Sequence, residues 1–183
     1  MKIKLSRPLG NVVVEMNAQA VQLKKILVPL DFSACAQKAL QYAIPFAKQF
    51  NAEIIFLHVI PMHFHYSADG FETDSISTEG VQDDVTRKLW ALIKETVPRE
   101  ISAQIEIRYG VEAAEIVNEA KKVEADIVIL STHGRTGRAH SLVGSVAEDV
   151  VRLAPCPVLV VRERQHEFVK FQTAPKTISA TAA

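Results

Sequence analysis

Residues 127–148 read IVILSTHGRTGRAHSLVGSVAE, an apolar run followed by a glycine-containing loop and the start of an amphipathic helix. The run 127–130 is rich in β-branched residues and has the length of a strand. Val146, Val150 and Leu153 then recur at the spacing of one helical face. A strand, a loop and a helix in this order form part of a βαβ unit, so the segment predicts parallel strands joined by helices.

The same alternation of strands and helices extends along the chain on the N-terminal side and once on the C-terminal side. Besides 127–130, strands are predicted at 25–30, 53–59, 104–108 and in the last apolar run, Pro157-Val158-Leu159-Val160-Val161. Helices are predicted between them, with a long polar connection at 60–80. Because the strands are apolar throughout, they are expected to be buried on both faces. The sequence therefore predicts an α/β fold with an open, parallel, five-stranded sheet and helices on both faces.

This core is predicted at residues 24–163. An N-terminal extension, 1–23, contains the run 11–16, which is long enough for one extra strand. A C-terminal tail, 164–183, ends in a segment rich in Ala, Thr and Ser and is predicted to be flexible.

Composition narrows the possible partners and the compartment. Lys plus Arg and Asp plus Glu each number 21 in the 183 residues, and this balance argues against nucleic acid as a partner. No apolar run is long enough to cross a membrane or to act as a secretory signal. Cys35 and Cys156 are interpreted as free, buried thiols, which suit a reducing compartment. We therefore expect a cytoplasmic protein with no membrane partner.

The loop after residue 130 is a candidate anion site. Ligands of open α/β sheets bind beyond the carboxyl ends of the strands, where this loop lies. Ser145 and Glu148 are spaced as in a capping box, and the N–H groups at the start of that helix would face the loop. Arg135 and Arg138 add positive charge nearby. The loop is neither a Walker A motif nor a dinucleotide fingerprint, and a glycine turn before an ordinary capped helix remains the alternative.

Several segments resemble the universal stress protein family, in the same order along the chain. They are KILVPLDFS at 25–33, LHV at 57–59, HGRTG at 133–137, GSVAE at 144–148 and APCPVLVV at 154–161. The resemblance covers residues 24–162, about three quarters of the chain. It implies a Rossmann-like fold similar to that of the adenine nucleotide alpha hydrolases, and it implies ATP binding.

ATP-binding members of that family carry Gly, two residues, Gly, nine residues, and then Gly-Ser or Gly-Thr. Here Gly134 and Gly144 enclose nine residues and Ser145 follows, but Ser131 replaces the first glycine. We expect this serine to weaken ATP binding without abolishing it, because its side chain crowds the nucleotide or restricts the backbone.

The resemblance also implies which residues bind the nucleotide. Val59 would meet the adenine, residues around Asp31 would line the nucleoside pocket, and Gly134, Gly144, Ser145 and Val146 would hold the phosphates. From the glycine loop and the helix start we also expect Mg²⁺ to help neutralise the phosphates. The full predicted set is Pro29, Leu30, Asp31, Val59, Leu130, Ser131, His133, Gly134, Arg135, Gly137, Gly144, Ser145 and Val146.

Other residues point less clearly to chemistry. His58 lies in a predicted buried strand and is interpreted as a hydrogen-bonded core residue, while His63 and His65 have no recognisable third metal ligand. Neither cysteine has a visible catalytic partner, and no base is evident, so the chain is not expected to be an enzyme. A slow ATP hydrolase and an interaction module that binds no nucleotide remain the alternatives.

The last strand also predicts the assembly. An apolar strand at a sheet edge exposes unpaired backbone groups, and pairing with a second copy would cover them. The family resemblance likewise implies a homodimer through Pro157 to Val161. The alternative is that the run 11–16 folds back and covers this edge within one chain.

Overall fold

The computed structural model describes the backbone of residues 2–7, 10–15, 21–62, 64–67, 70–73, 78–132 and 144–162, and the side chains of 21–62, 80–132 and 144–162. The strands are β1 Lys2–Arg7, β2 Gly10–Glu15, β3 Lys25–Pro29, β4 Glu53–Pro61, β5 Phe64–Ser67, β6 Gly70–Thr73, β7 Ala103–Gly110, β8 Ile127–Ser131 and β9 Val158–Val161. The helices are α1 Ala34–Phe50, α2 Thr78–Thr96, α3 Glu112–Lys122 and α4 Ser145–Leu153.

Five strands form one sheet in the order β7-β4-β3-β8-β9, and every neighbouring pair is parallel. The predicted open, parallel, five-stranded sheet is therefore confirmed. The chain runs outward from the central strand β3 in one direction through β4 and β7, then returns to β8 and β9 on the other side. The point between β3 and β8 where this direction reverses is the place at which open α/β sheets form ligand crevices.

Two apolar layers sandwich the sheet. On one face, α1 and α2 pack against Ile26 and Val28 of β3, and on the other face α3 and α4 pack around Leu27. Ile26, Leu27 and Val28 are each 0% exposed. Burial on both faces explains why these strands are apolar at every position instead of alternating with polar residues.

Two segments outside the five-stranded sheet contain strands that were not predicted. Residues 60–80 were wrongly predicted as a single polar connection: β5 and β6 form an antiparallel hairpin within them, and α2 already begins at Thr78. The run 11–16, expected to add one short strand, overlaps β2, which pairs with the additional strand β1 in a separate two-stranded sheet. The strands β5 and β6 are only four residues long, which leaves little pattern by which to recognise them.

An ion pair fixes α3 against the edge strand β7. The Glu119 carboxylate, 2% exposed, accepts a hydrogen bond from Arg108 Nε at 2.6 Å and lies 3.3 Å from Lys122 Nζ. Arg108 also contacts Glu106 at 2.8 Å. Burial alone would lower the pKa of Arg108, but the hydrogen bonds and charges of the two carboxylates outweigh it and raise that pKa. The guanidinium therefore stays charged and holds the helix in place.

Candidate functional site

A cavity of about 200 Å³ opens at the carboxyl edge of the sheet. Its floor is formed by the ends of β3, β4 and β8, and its walls by the first turns of α3 and α4. The residues that line it are Pro29, Leu30, Asp31, Leu57, Val59, Glu112, Ile116, Leu130, Ser131, Thr132, Gly144, Ser145, Val146 and Ala147.

All the predicted site residues whose side chains the structure describes line this one cavity. They are Pro29, Leu30, Asp31, Val59, Leu130, Ser131, Gly144, Ser145 and Val146. The other predicted residues, His133, Gly134, Arg135 and Gly137, lie outside the described residues. The structure thus brings together residues from four separate segments of the sequence, although nucleotide binding by them stays a prediction.

Sequence reasoning missed five lining residues. Three of them, Leu57, Thr132 and Ala147, are direct or near neighbours of residues that were predicted; the other two, Glu112 and Ile116, belong to α3. A signal for the α3 pair was present, because that helix begins directly after a strand and so starts at the same carboxyl edge as the glycine loop.

The start of α4 forms the wall of the cavity that suits an anion. Gly144 is the N-cap residue, and its N–H donates to the carbonyl oxygen of Thr132 at 2.8 Å. The N–H groups of Ser145, Val146 and Ala147 follow, and a helix supplies no acceptors of its own for its first N–H groups. Together with the helix dipole, such groups stabilise a negatively charged ligand.

The predicted capping box at this helix is wrong. Ser145 is the first helical residue and not the N-cap, and the N-cap Gly144 makes no side-chain hydrogen bond. The absence of a capping side chain at Gly144 favours ligand binding, since no cap hydroxyl competes with a ligand for the N–H groups of the first turn. Gly144 has φ −70° and ψ 153°, a conformation open to any residue, so the glycine is not required by the backbone.

The end of β3 forms a tight turn under the cavity. Asp31 Oδ1 accepts a hydrogen bond from the Ser33 N–H at 3.0 Å, and Ser33 Oγ caps α1 by accepting from the Ala36 N–H at 3.1 Å. Between them, Phe32 has a φ of +64°, in the left-handed region that bulky residues rarely adopt. Strain of this kind is common where a backbone is shaped around a ligand.

His58 holds the turn from below. The imidazole is 5% exposed, and its Nδ1 lies 2.6 Å from the Leu30 carbonyl oxygen, to which it donates. The ring packs against Phe32 with centroids 4.8 Å apart. Leu30 also donates its N–H to Leu57 at 2.8 Å. The prediction that His58 is a hydrogen-bonded core residue is therefore confirmed, and its effect is to fix Leu30 at the cavity floor.

Ser131 is the last residue of β8 and pairs in register with Val161. Among the described non-glycine residues, positive φ occurs at Phe32, Asn51 and Glu124, and not at Ser131. Ser131 therefore has a backbone conformation that any residue adopts, so the part of the expectation that rested on a restricted backbone is wrong. Crowding by its side chain, which lines the cavity, is the remaining reason for it to weaken binding.

The sequence model of the universal stress protein family matches residues 22–162. The chain belongs to the universal stress protein family. The match covers all of the five-stranded sheet and the four helices of the described residues, so the resemblance drawn from the sequence motifs is confirmed.

Two universal stress proteins of Methanocaldococcus jannaschii are similar to this chain. MJ0531 is 33% identical over 144 residues, covering 79% of this chain and 85% of that protein. MJ0577 is 32% identical over 159 residues, covering 79% and 98%. The solved structure of MJ0577 superimposes with a TM-score of 0.65 over 80% of this chain and all of that one, at 30% identity.

More distant universal stress protein structures share the fold. One, in complex with cAMP, is 21% identical with a TM-score of 0.53, over 77% of this chain and 98% of that one. Another, from Archaeoglobus fulgidus in complex with dAMP, is 17% identical with a TM-score of 0.51, over 78% and 99%. At these identities the similarity extends to the Rossmann-like fold alone.

The remaining candidate residues do not form a second site within the described part of the chain. Among the described side chains, no group of three or more His, Cys, Asp or Glu residues is arranged to hold a metal; His63 and the side chain of His65 lie outside that set. Neither Cys35 nor Cys156 forms a disulfide, and both are half-buried, not buried as expected. Burial and, secondarily, the Asp126 carboxylate raise the pKa of Cys156, which keeps that thiol protonated. None of the described helices is long and apolar enough to cross a bilayer.

The strained turn leads to a stability prediction. Phe32→Gly and Phe32→Ala both lose the contact with His58, but only alanine keeps a Cβ that clashes at positive φ. We expect the glycine variant to have the larger free energy of unfolding, by about 1 kcal/mol, in urea denaturation.

Gln37, an exposed position inside α1, is the matched control. There alanine should be more stable than glycine by about 1 kcal/mol, the opposite order, because the backbone is helical. If alanine is also the more stable residue at position 32, the left-handed turn is absent.

Proposed function

We propose that this universal stress protein binds ATP with Mg²⁺ in the cavity and acts in the cytoplasm as a nucleotide-dependent stress-response or signalling protein, without a dedicated catalytic centre. The observation that carries the proposal is the start of α4, whose first N–H groups have no acceptor among the described residues and belong to residues that line a cavity at the sheet's switch point.

The cavity offers separate surroundings to the two ends of a nucleotide. Ser145 and Val146 stand at the positive end of α4, which suits phosphates. Leu57, Val59 and Ile116 supply an apolar wall, which suits the flat face of a base. A site with one anionic and one apolar end fits a nucleotide better than inorganic phosphate, which has no apolar part.

The choice of an adenine nucleotide has further support. The cAMP and dAMP complexes described above are of proteins with the same fold, and their ligands make an adenine nucleotide the first ligand to test. Among adenine nucleotides, the motif of Gly134, Gly144 and Ser145 favours ATP, because the ATP-binding members that the sequence resembles carry this motif.

Mg²⁺ fits the chemistry of the cavity. It prefers oxygen ligands and is commonly held by substrate phosphates with one or two carboxylates. Asp31 and the hydroxyl of Ser145 are oxygen donors among the lining residues. When bound, Mg²⁺ neutralises phosphate charge; these residues would hold it from the protein side.

Binding without efficient turnover is the form of activity we favour over a slow hydrolase. Hydrolysis needs a group that positions water at the terminal phosphate. Asp31 Oδ1 accepts a hydrogen bond from the Ser33 N–H, and the other lining carboxylate, Glu112, belongs to α3, whereas the N–H groups that would hold the phosphates belong to α4. We therefore assign neither carboxylate the task of positioning water.

Gly144→Val tests the phosphate site. Because the backbone at Gly144 is extended, valine fits its conformation and the fold should be kept, but its branched side chain occupies space beside the first turn of α4. We expect the ATP affinity in calorimetry to fall by at least about tenfold, the factor lost with a hydrogen bond to a charged group.

Gly80→Val is the matched control. A Cβ at Gly80 meets no atom within 4 Å, and the residue lies in α2, which contributes nothing to the cavity lining. This variant should bind ATP like the wild type. Unchanged affinity in a folded Gly144→Val protein would place the site elsewhere, and absence of ATP binding by the wild type would favour the interaction module.

We also propose that the protein is a homodimer through β9. This strand is at a sheet edge. The Pro157 carbonyl accepts a hydrogen bond from Val128 of β8, and the Val161 carbonyl accepts one from Thr132, which follows β8. Because alternate residues of a parallel strand face the same neighbour, Val158 and Val160 direct their backbone groups outward. The strand β2, the alternative cover for this edge, pairs with β1 instead.

Val160→Pro tests this interface, because proline removes an N–H that faces outward while the ladder to β8 is kept. Light scattering should give twice the 20.2 kDa chain mass for the wild type and for Val160→Thr, which keeps the N–H, but a single chain mass for Val160→Pro. A folded Val160→Pro protein that still dimerises would exclude β9 pairing as the interface.

A further inference from the structure

Glu112 is a lining residue that the proposed function has not used. It is the first residue of α3, follows the exposed N-cap Val111, and is half-buried in the part of the cavity wall that α3 forms. Within the described side chains, no hydrogen bond or ion pair engages its carboxylate. A carboxylate that lines a cavity in this way is an acceptor available to a ligand.

The two helices that begin at the cavity differ in charge at their starts. In α3, Glu112 and Glu115 occupy the first turn, so carboxylates offset the positive end of the dipole. In α4 the only acidic residue of the first turn, Glu148, is absent from the lining. A phosphate is therefore repelled by the α3 wall and attracted to the α4 wall, which orients a nucleotide with its nucleoside part toward α3.

We propose that Glu112 accepts hydrogen bonds from the ribose hydroxyls of the bound nucleotide, and so makes the site selective for ribonucleotides over deoxynucleotides. This inference rests on the proposed ATP binding. A ribose offers two neighbouring hydroxyl donors, and a carboxylate has two oxygens that only accept. Acidic residues perform the same task for the ribose of dinucleotides in other doubly wound folds.

The other carboxylate in the cavity is less suited to this role. Asp31 already accepts from the Ser33 N–H at 3.0 Å within the turn after β3. The Glu112 carboxylate, by contrast, accepts no hydrogen bond from the described residues. Its backbone position is fixed because the Glu119–Arg108 ion pair anchors α3 to β7. Glu112, Ile116 and Glu119 lie four and three residues apart on one face, so the anchored face is the one that meets the cavity.

The test compares the affinities of ATP and 2′,3′-dideoxy-ATP in calorimetry with the full-length protein. The wild type should bind ATP roughly tenfold or more tightly than the dideoxy analogue, as expected for hydrogen bonds to a charged acceptor. In Glu112→Ala this preference should fall to about twofold or less, and in Glu112→Gln, which keeps one neutral acceptor, it should be intermediate.

Glu115→Gln is the control, because it removes a charge from the same helical turn at a residue that does not line the cavity. Its preference for ATP should equal that of the wild type. Two results would overturn the inference: equal affinities of the wild type for ATP and the analogue, or a Glu112→Ala variant whose affinities for both ligands fall by the same factor. In either case the proposal that the wild type binds ATP would still stand. A wild type that binds neither nucleotide would instead overturn the proposed function.

Discussion

Burial of a parallel strand on both faces is the constraint on which the rest of this structure depends. Once β3 is covered by α1 and α2 on one side and by α3 and α4 on the other, its neighbours are parallel as well, and all their carboxyl ends meet at one edge. Helices that return across the sheet then begin at that edge. The cavity, with its apolar floor and its two helix starts, is a consequence of this arrangement.

Short-range contacts convert the edge into a shaped site. The Gly144 N–H meets the Thr132 carbonyl at 2.8 Å, so the two ends of the glycine loop are joined directly above β8. On the opposite side, His58 and Leu57 hold both backbone groups of Leu30. These hydrogen bonds occupy backbone groups of Gly144, Thr132 and Leu30. They leave the first N–H groups of α4 and the Glu112 carboxylate available to bind a ligand.

Sequence patterns predicted the sheet and most of the described site, because both depend on local signals. The apolar runs marked the strands, and the residues at their carboxyl ends, such as Asp31 and Ser131, were identified from position and family motif. The place of Glu112 at the carboxyl edge was predictable, because α3 begins shortly after a strand, but helical periodicity does not show that its side chain lines the same cavity as the start of α4. The hairpin β5–β6 was missed because each of its strands is only four residues long, at the lower limit at which alternation can be recognised.

Amide NMR during an ATP titration tests the central claim most directly, because it reports on the individual N–H groups that are proposed to hold the phosphates. With ATP and Mg²⁺ added to saturation, the amide signals of Ser145, Val146 and Ala147 should show the largest shifts, since hydrogen bonds to phosphate deshield the donor. Amide signals of exposed α2 residues, such as Gly80, should not move. Saturating ATP that leaves the three α4 amides unchanged would contradict the account.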